Sequence, residues 1–317
     1  KFAINILYFQ NILTLNYLII FLLYILQTDM TLNYFNDKQS EEKFMRIYNV
    51  SEGEFYHSGI YEGMKVRQRY LCWKYLPNIR DKIIHTIPKK SKYEAVFLDF
   101  RSFPHIEFII RNAIIKLGKD WSHTIVCGNQ NLQFMQQLCQ RISPNIRIIQ
   151  LNINNIDHIE DYNKLLTSVS FWNQFHGEKI LIHQEDSCIF KSNVEDYLHF
   201  DYIGAPWNTD KEWVQQSGLK IAAGNGGFSI RTRKLMIQII ENYPRDSKDN
   251  EDVYFSRMIQ DHNLGVFPSM QDCYNFSSEG VVSRESFGGH CYFNYDVESE
   301  KRFVKDCVIS LYKDEFL

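Results

Sequence analysis

The chain has 317 residues, of which 44% are hydrophobic and 15% aromatic, enough for one large domain or two smaller ones with a sizeable core. The formal net charge is -3 with acidic and basic residues interspersed, so no basic field indicates a nucleic acid partner. Seven cysteines form no CxxC pair and no zinc-binding spacing, which favours reduced thiols and a cytoplasmic or cytosol-facing protein.

The first segment, residues 1–29, is apolar, and two interpretations of it stay open. Residues 2–26 carry no charge and residues 17–26 are continuously apolar, which is typical of a signal anchor. The chain begins with Lys1, and its first methionine is Met30, which favours translated upstream sequence that the native protein lacks. A membrane partner, and a membrane-anchored location, are expected only if this segment is native.

Three further regions follow. Residues 30–90 form an N-terminal extension whose function is not readable, with one or two helices expected in residues 64–84. Residues 91–300 carry the pattern of one α/β domain, and residues 301–317 form a C-terminal tail.

Strands and helices alternate in the first half of that domain. Short apolar runs predict strands at residues 93–100, 123–127, 146–151 and 179–184, and apolar stripes of helical spacing predict helices at residues 106–117, 132–142 and 159–169. This alternation implies right-handed crossovers and a mainly parallel sheet. No strand is followed by GxGxxG or by a P-loop, so dinucleotide and Walker-type sites are not indicated.

Polar side chains follow two of these strands. The fourth strand runs into Gln184, Glu185 and Asp186, and ligands of α/β sheets bind beyond the carboxyl ends of strands. Carboxylates there would suit Mg²⁺ or Mn²⁺, although a solvated turn explains an acid pair equally simply. Arg101, after the first strand, is placed either to meet a diphosphate or to form a surface ion pair.

The second half adds a strand at residues 201–207 and a polar segment at residues 208–220, which is either a lid or an ordinary surface excursion. Gly224, Gly226 and Gly227 then indicate close backbone approach or positive φ. A tight turn would explain one or two of these glycines, and a sugar or phosphate site would explain all three.

Three more residues are candidates for chemistry. Glu251 and Asp252 begin a helix, where acids complement the helix dipole, but a carboxylate there could also be a general base. His290 follows two glycines and is either a loop residue or a late metal ligand.

The ordered motifs QEDS (184–187), YIGAPW (202–207), GNGGFSIR (224–231), NEDVYFS (250–256) and FGGH (287–290) resemble those of GT-A-type glycosyltransferases. The resemblance is closest to a family of glycosyltransferase-like domains of unknown function and covers roughly residues 93–293. It implies a GT-A-like, Rossmann-like α/β fold with a mainly parallel central sheet and flanking helices, preceded by the N-terminal extension.

The resemblance also implies a reaction. The protein would move a sugar from a nucleoside-diphosphate-sugar donor to a hydroxyl of a glycan, protein or small-molecule acceptor, with Mn²⁺ or Mg²⁺ assisting and with inversion at the sugar. A catalytically inactive domain that binds a nucleotide sugar or a glycan is the alternative. A nucleotidyltransferase is the third reading, but its basic glycine-rich loop is missing.

Site roles follow residue by residue. Asp186 matches the second acid of the DxD motif, Gln184 occupies the first position, and metal coordination therefore rests on Asp186 or shifts to Glu185. His290 matches the late metal-binding histidine, and Asp252 or Glu251 matches the base. The resemblance places Gly226 and Gly227 in a glycine-rich turn. These two glycines are expected to bind the donor together with Arg101, Asp186 and Gln184.

Overall fold

A computed structural model describes residues 38–56, 61–246, 248–293 and 297–315. The chain divides into two compact units, Lys1–Ser51 and Glu52–Leu317. The first unit contributes one described helix, α1 (Lys38–Tyr48). Residues 1–29 lie outside the described ranges, so both interpretations of the apolar segment stay predictions.

The second unit contains nine strands and eleven helices in its described part. The strands are β1 (Tyr93–Leu98), β2 (Trp121–Cys127), β3 (Arg147–Gln150), β4 (Lys179–His183), β5 (Ser187–Ile189), β6 (Tyr202–Pro206), β7 (Ala223–Thr232), β8 (Ser277–Ser278) and β9 (Gly288–His290). The helices are α2 (Glu52–Tyr56), α3 (Tyr61–Ile79), α4 (Ile106–Leu117), α5 (Leu132–Ile142), α6 (Ile159–Leu166), α7 (Val169–Trp172), α8 (Glu212–Gln216), α9 (Arg233–Asn242), α10 (Glu251–His262), α11 (Met270–Phe276) and α12 (Val297–Cys307). Short 3-10 turns add Val194–Tyr197 and Ile309–Glu315.

The central sheet has six strands in the order β3-β2-β1-β4-β7-β6. Strands β3, β2, β1 and β4 are parallel to one another, and β7 runs antiparallel to both β4 and β6. The predicted α/β fold with a mainly parallel sheet and flanking helices is therefore confirmed. The carboxyl ends of β1 and β4 lie at the edge where β7 begins, because β7 runs in the opposite direction.

Alternate residues of the inner strands enter two hydrophobic cores, one on each face of the sheet. Val96, Ile180 and Ile182 pack into the first core, whereas Ala95 and Leu181 pack into the second. Successive strand side chains point to opposite faces, and helices cover both, so these strands are apolar without alternation. This is why the apolar runs were readable in the sequence.

A second sheet of three strands, in the order β5-β9-β8, was not predicted. Its β5 and β9 are antiparallel and place Ser187 opposite His290. Because Asp186 directly precedes Ser187, this pairing places His290 close to Asp186. The strands are two or three residues long, too short for a period-2 pattern to reveal them.

Two further expectations differ in detail. The glycine run lies inside strand β7 and not in a turn, with register shifts against β6 at Gly204–Pro206. The polar segment at residues 208–220 contains the short helix α8, whose Val214 is buried and whose Trp213 meets Trp207 edge-to-face. The buried side chain of Val214 therefore attaches to the core a segment whose sequence is typical of a surface loop.

All seven cysteines lie in the described ranges, and none forms a disulfide; six of them are buried. Among the described helices, none combines the length and the apolar character needed to cross a bilayer.

Candidate active site

A cavity of about 450 Å³ opens at the carboxyl ends of β1 and β4. Its walls come from residues after both strands, from the glycines of β7, from the start of α10, and from Lys65 of α3. Small-molecule sites have volumes of roughly 300–1,000 Å³, so the cavity suits a ligand of ordinary metabolite size.

Asp186 is the centre of a cluster that reaches the cavity through Lys65 and His290. Its Oδ1 lies 3.0 Å from His290 Nε2, and its Oδ2 accepts from the Cys291 thiol and from Lys65 Nζ, each at 3.0 Å. The Cys291 N–H also donates to the Asp186 carbonyl. Burial disfavours the carboxylate, but His290 and Lys65 hold the pKa of Asp186 well below its usual range. Asp186 is thus an anion in a partly dry site.

His290 is held between two acids and an amide. Its Nε2 lies 3.1 Å from Gln184 Oε1, and its Nδ1 lies 2.9 Å from Glu279 Oε2. Burial opposes a charged ring, but Cys291, Glu279 and Asp186 together raise the pKa of His290 well above its ordinary value. The imidazole therefore carries a proton that a metal ion would have to replace.

The residues fit a metal ion. Ligand atoms of Asp186, His290 and Cys291 lie within 4.8 Å of one another. His290 Nδ1 and Glu279 Oε2 are both buried and pair with each other at 2.9 Å, which fixes the orientation of the imidazole ring. Cys291 also has φ 46°, an uncommon conformation for a residue with a side chain, which indicates a functional constraint.

Cys291 is better placed as a ligand than as a nucleophile. Burial and the charge of Asp186 outweigh the nearby imidazole and raise the pKa of the Cys291 thiol to about 11. An activated cysteine nucleophile needs a lowered pKa, so the contact between Cys291 Sγ and His290 Nε2 at 3.7 Å does not build one.

Glu185 points away from this cluster. It is buried, accepts from Arg69 at 2.6 and 3.2 Å, and contacts His105 Nε2 at 2.8 Å and Arg101 Nη2 at 3.2 Å. Burial works against its ionisation, but these partners lower its pKa. The structure therefore places Glu185 in an ion-pair network and not among the possible metal ligands. The third possible ligand, besides Asp186 and His290, is Cys291.

Asp252 faces the cavity from the first turn of α10. Its Oδ2 accepts from the Gly226 N–H at 3.2 Å, and its Oδ1 accepts from the Val253 N–H at 2.8 Å. Burial, followed by the charge of Glu251, raises the pKa of Asp252 to about 7. A carboxyl with this pKa exchanges a proton near neutral pH.

Glu251, the other candidate base, has a structural partner. Both of its oxygens accept from the guanidinium of Arg231 at 2.6 and 3.0 Å, and both side chains are buried. Its backbone N–H donates a hydrogen bond to the side-chain oxygen of Asn163. A carboxylate held in this way is not available to take a proton from an acceptor.

The three glycines are explained by packing against protein atoms. A Cβ at Gly227 would lie 2.2 Å from the His290 ring, and one at Gly226 would lie 2.2 Å from Glu251 Oε1. Gly224 has φ 120° and would meet Ser256 Oγ at 2.1 Å. All three glycines are thus in close contact with protein atoms, and the interpretation that a sugar or phosphate site explains them stays a prediction; Gly226 and Gly227 line the cavity.

Arg101 lines the cavity at the end of β1. Its guanidinium makes two bonds to Asp99, at 2.7 and 3.1 Å, and its side chain is 42% exposed. Asp99 and Glu185 keep the pKa of Arg101 above its usual value despite burial. The expected ion pair is thus present with Asp99, and the contact of Arg101 with a diphosphate stays a prediction.

Sequence reasoning missed three residues that line the cavity, Lys65, Tyr162 and Glu279, and one residue beside it, Cys291. Lys65 lies in the extension that no motif covers, and Tyr162 appeared only as a helical apolar position although its hydroxyl accepts from the Gln184 amide at 2.9 Å. Glu279 and Cys291 are remote from Asp186 in the chain. Cys291 alone had a signal, because it directly follows His290.

Comparison with known proteins adds little about activity. A profile of the family described as "Protein of unknown function (DUF5672)" matches residues 145–290, less than half of the chain. All five quoted motifs lie inside this range, so a likeness to a family of unknown function is found as expected. No curated protein matches the sequence at a significant level.

Two solved glycosyltransferase structures are similar at low scores. Mannosyltransferase PcManGT from Pyrobaculum calidifontis, in complex with GDP-Man and Mn²⁺, gives a TM-score of 0.39 at 8% identity over 66% of this chain. The match spans 63% of that mannosyltransferase, less than two thirds of its length. Apo mouse xyloside xylosyltransferase 1 gives 0.37 at 10% identity, over 58% of this chain and 86% of that one. At these values neither structure carries an argument about this chain.

Proposed function

We propose that this protein is a glycosyltransferase that moves a sugar from a nucleoside-diphosphate sugar to a hydroxyl acceptor. One observation carries the proposal: His290, which belongs to the cluster of possible metal ligands, and Asp252, a carboxyl of pKa about 7, line the same cavity. Gly227 packs under the ring of His290, and the adjacent Gly226 donates to Asp252. Gly226 and Gly227, which are consecutive in β7, therefore connect the proposed metal ligand His290 with the proposed base Asp252.

Asp186, His290 and Cys291 would hold the metal ion. Carboxylate, imidazole and thiolate together fit a transition metal such as Mn²⁺ or Zn²⁺ better than Mg²⁺. The ion, when bound, would stabilise the negative charge that develops on the departing diphosphate. Binding requires a neutral His290 and a deprotonated Cys291, so metal uptake should release protons.

Asp252 would take the proton from the acceptor hydroxyl. Its pKa of about 7 is matched to a base that works near neutral pH. The Gly226 and Val253 N–H groups hold the carboxyl in place. A base on the acceptor side suits inversion at the sugar, which belongs to the same proposal.

The remaining predicted residues would position the donor. Arg101 offers a guanidinium at the end of β1, where a diphosphate would contact it. Gln184 holds its amide between Tyr162 and His290 and keeps the ring oriented. Gly226 and Gly227 line the cavity beside His290 and Asp252 and would lie along the bound donor.

A binding domain without transfer activity is the second candidate. Lys65 and His290 already balance Asp186, and Gln184 stands where a second carboxylate would strengthen a metal site. A nucleotide sugar could then be bound and left intact.

Turnover distinguishes the two candidates. The protein is incubated with a panel of nucleoside-diphosphate sugars, with Mn²⁺ or EDTA, and released nucleoside diphosphate is measured alongside Asp252→Asn. Metal-dependent release that falls strongly in Asp252→Asn supports the transferase. Saturable donor binding without release by the wild type, across donors and acceptor sugars, supports the binding domain.

A further inference from the structure

Lys65 brings the N-terminal extension into the cavity. Its Nζ lies 3.0 Å from Asp186 Oδ2, and its side chain is 17% exposed. The residue belongs to α3, outside the residues 145–290 that the family profile covers. A helix with no motif of its own therefore supplies a cation to the central acid of the site.

The position of Lys65 is fixed by its own helix. Arg69 lies four residues later, on the same face of α3, and makes two bonds to Glu185. The Arg69 guanidinium also lies 4.5 Å from the centre of the Phe103 ring. Helix α3 packs against α4 along its length. Arg69 and Lys65 thus bind the two adjacent acids, Glu185 and Asp186, from one rigid face.

Lys65 and a metal ion need the same carboxylate group. Asp186 Oδ2 accepts from the Lys65 ammonium and from Cys291, and the carboxylate of Asp186 belongs to the metal-type cluster. An ammonium group beside a divalent ion is repelled by it, more strongly where burial lowers the effective dielectric constant. Metal binding at Asp186 should therefore displace the Lys65 ammonium into the cavity.

We propose that Lys65 competes with the metal ion for Asp186 and, once displaced, binds the diphosphate of the donor. This inference rests on the proposed function, since it assumes that the cavity holds a metal ion and a diphosphate. An ammonium–phosphate contact is a charge-assisted hydrogen bond, which is among the stronger polar interactions. The exchange would couple donor binding to metal binding, because the diphosphate provides the new partner for the ammonium.

The exchange predicts opposite changes in two affinities. In Lys65→Met, Mn²⁺ should bind about tenfold more tightly, because a competing positive charge is gone. Inorganic pyrophosphate should bind the Mn²⁺-loaded variant at least about tenfold more weakly, because a charged hydrogen bond is lost. A purely structural lysine would not move the two affinities in opposite directions.

The test uses the full chain. Free Mn²⁺ is measured by electron paramagnetic resonance, and pyrophosphate binding at saturating Mn²⁺ is measured by calorimetry. Lys65→Met and Lys65→Gln are the neutral variants, and Lys65→Arg keeps the charge. Lys119→Met removes an exposed lysine after α4 and is the control. Lys65→Arg should stay within about threefold of the wild type, and Lys119→Met should match it.

Three results would overturn the inference, and they separate it from the proposed function. Unchanged affinities in both neutral variants would show that Lys65 takes no part in binding. A joint fall of both affinities would show a structural role for the lysine. If the wild type binds neither Mn²⁺ nor pyrophosphate, the proposed function fails together with the inference.

Discussion

Glu185 and Asp186 are neighbours in sequence and have opposite surroundings. Glu185 is enclosed by Arg69, Arg101 and His105, and its oxygens are used by the protein itself. Asp186 contacts Lys65, His290 and Cys291, of which Lys65 and His290 line the cavity. Both acids lie in the turn between β4 and β5 and have different partners, so one acid serves the fold and the other is available for chemistry.

The two acids differ in whether their hydrogen-bonding partners can be exchanged for a metal ion. The guanidinium of Arg69 cannot lose its charge and grips Glu185 with two bonds. At Asp186, the imidazole and the thiol can each give up a proton and the ammonium can move. An acid with exchangeable partners can exchange them for a metal ion, whereas Glu185 cannot without leaving Arg69, which is only 12% exposed, without its counter-charge.

The largest expected effect is on stability. Glu185→Gln should lower the free energy of unfolding by about 3–5 kcal/mol, because Arg69 would be left buried without its counter-charge. The matched variant Asp186→Asn should cost clearly less, since His290 can become neutral. Urea unfolding of both variants measures the difference. Equal losses in the two variants would contradict the assignment of separate roles.

The second-largest effect is expected when the proposed base, Asp252, is replaced. Asp252→Asn should lower kcat about 100-fold with donor affinity unchanged, because a base acts in the transition state. The wild-type rate should rise with pH through about 7, as the carboxyl loses its proton, and the variant should lose this rise. Initial rates between pH 5 and 9 test both statements. A parallel loss of donor binding would make Asp252 a structural residue.

The same carboxyl should affect stability in the opposite sense to an ordinary ion pair. Its folded pKa is raised, so between about pH 4 and 7 the folded chain keeps a proton that the unfolded chain releases. This contribution to stability is present at low pH and is lost as the pH rises through 7. Asp252→Asn should therefore gain stability over the wild type at pH 8, as measured by thermal unfolding. A gain at pH 4 instead would contradict the raised pKa.

A smaller effect is expected at the glycine under His290. Gly227→Ala would place a Cβ 2.2 Å from the ring and should cost about 1–3 kcal/mol or displace the histidine. Mn²⁺ affinity should fall with it. Gly118→Ala is the control, since its Cβ would meet no atom within 4 Å and only the positive φ is strained. Unchanged Mn²⁺ binding in Gly227→Ala would separate His290 from the metal site.

The smallest change is expected in metal preference. Cys291→Ser should weaken Zn²⁺ binding about tenfold and Mn²⁺ binding less, because a thiolate favours the softer ion. Competition between the two ions, followed by calorimetry, gives the ratio. An unchanged ratio would show that Cys291 does not bind the ion.

The central sheet could be predicted from the sequence because each of its strands is marked by a pattern within a few consecutive residues. The apolar runs of β1 and β4 are bounded by polar residues, and each run fixes its own strand. Their parallel pairing followed from the intervening helices. The small sheet of β5, β8 and β9 has no such local signal, because its short strands are formed by long-range pairing.

The site was predictable only in part for the same reason. Asp186, His290 and Asp252 were selected by their motifs; His290 and Asp252 line one cavity, and Asp186 contacts His290. The direction of Glu185 was not readable, because it depends on Arg69, which is distant in sequence. Lys65 had no signal, since a lysine in a polar helix is ordinary until the fold places it beside an acid.

Binding of nucleotide together with metal tests the central claim most directly. Thermal unfolding is followed with a panel of nucleoside diphosphates, with and without Mn²⁺, on the wild type and on Asp186→Ala. The account predicts a Mn²⁺-dependent rise of Tm for at least one nucleotide, absent in the variant. A rise that is equal with and without Mn²⁺ and survives in Asp186→Ala, or no rise for any nucleotide, would contradict a metal-dependent donor site at this cavity.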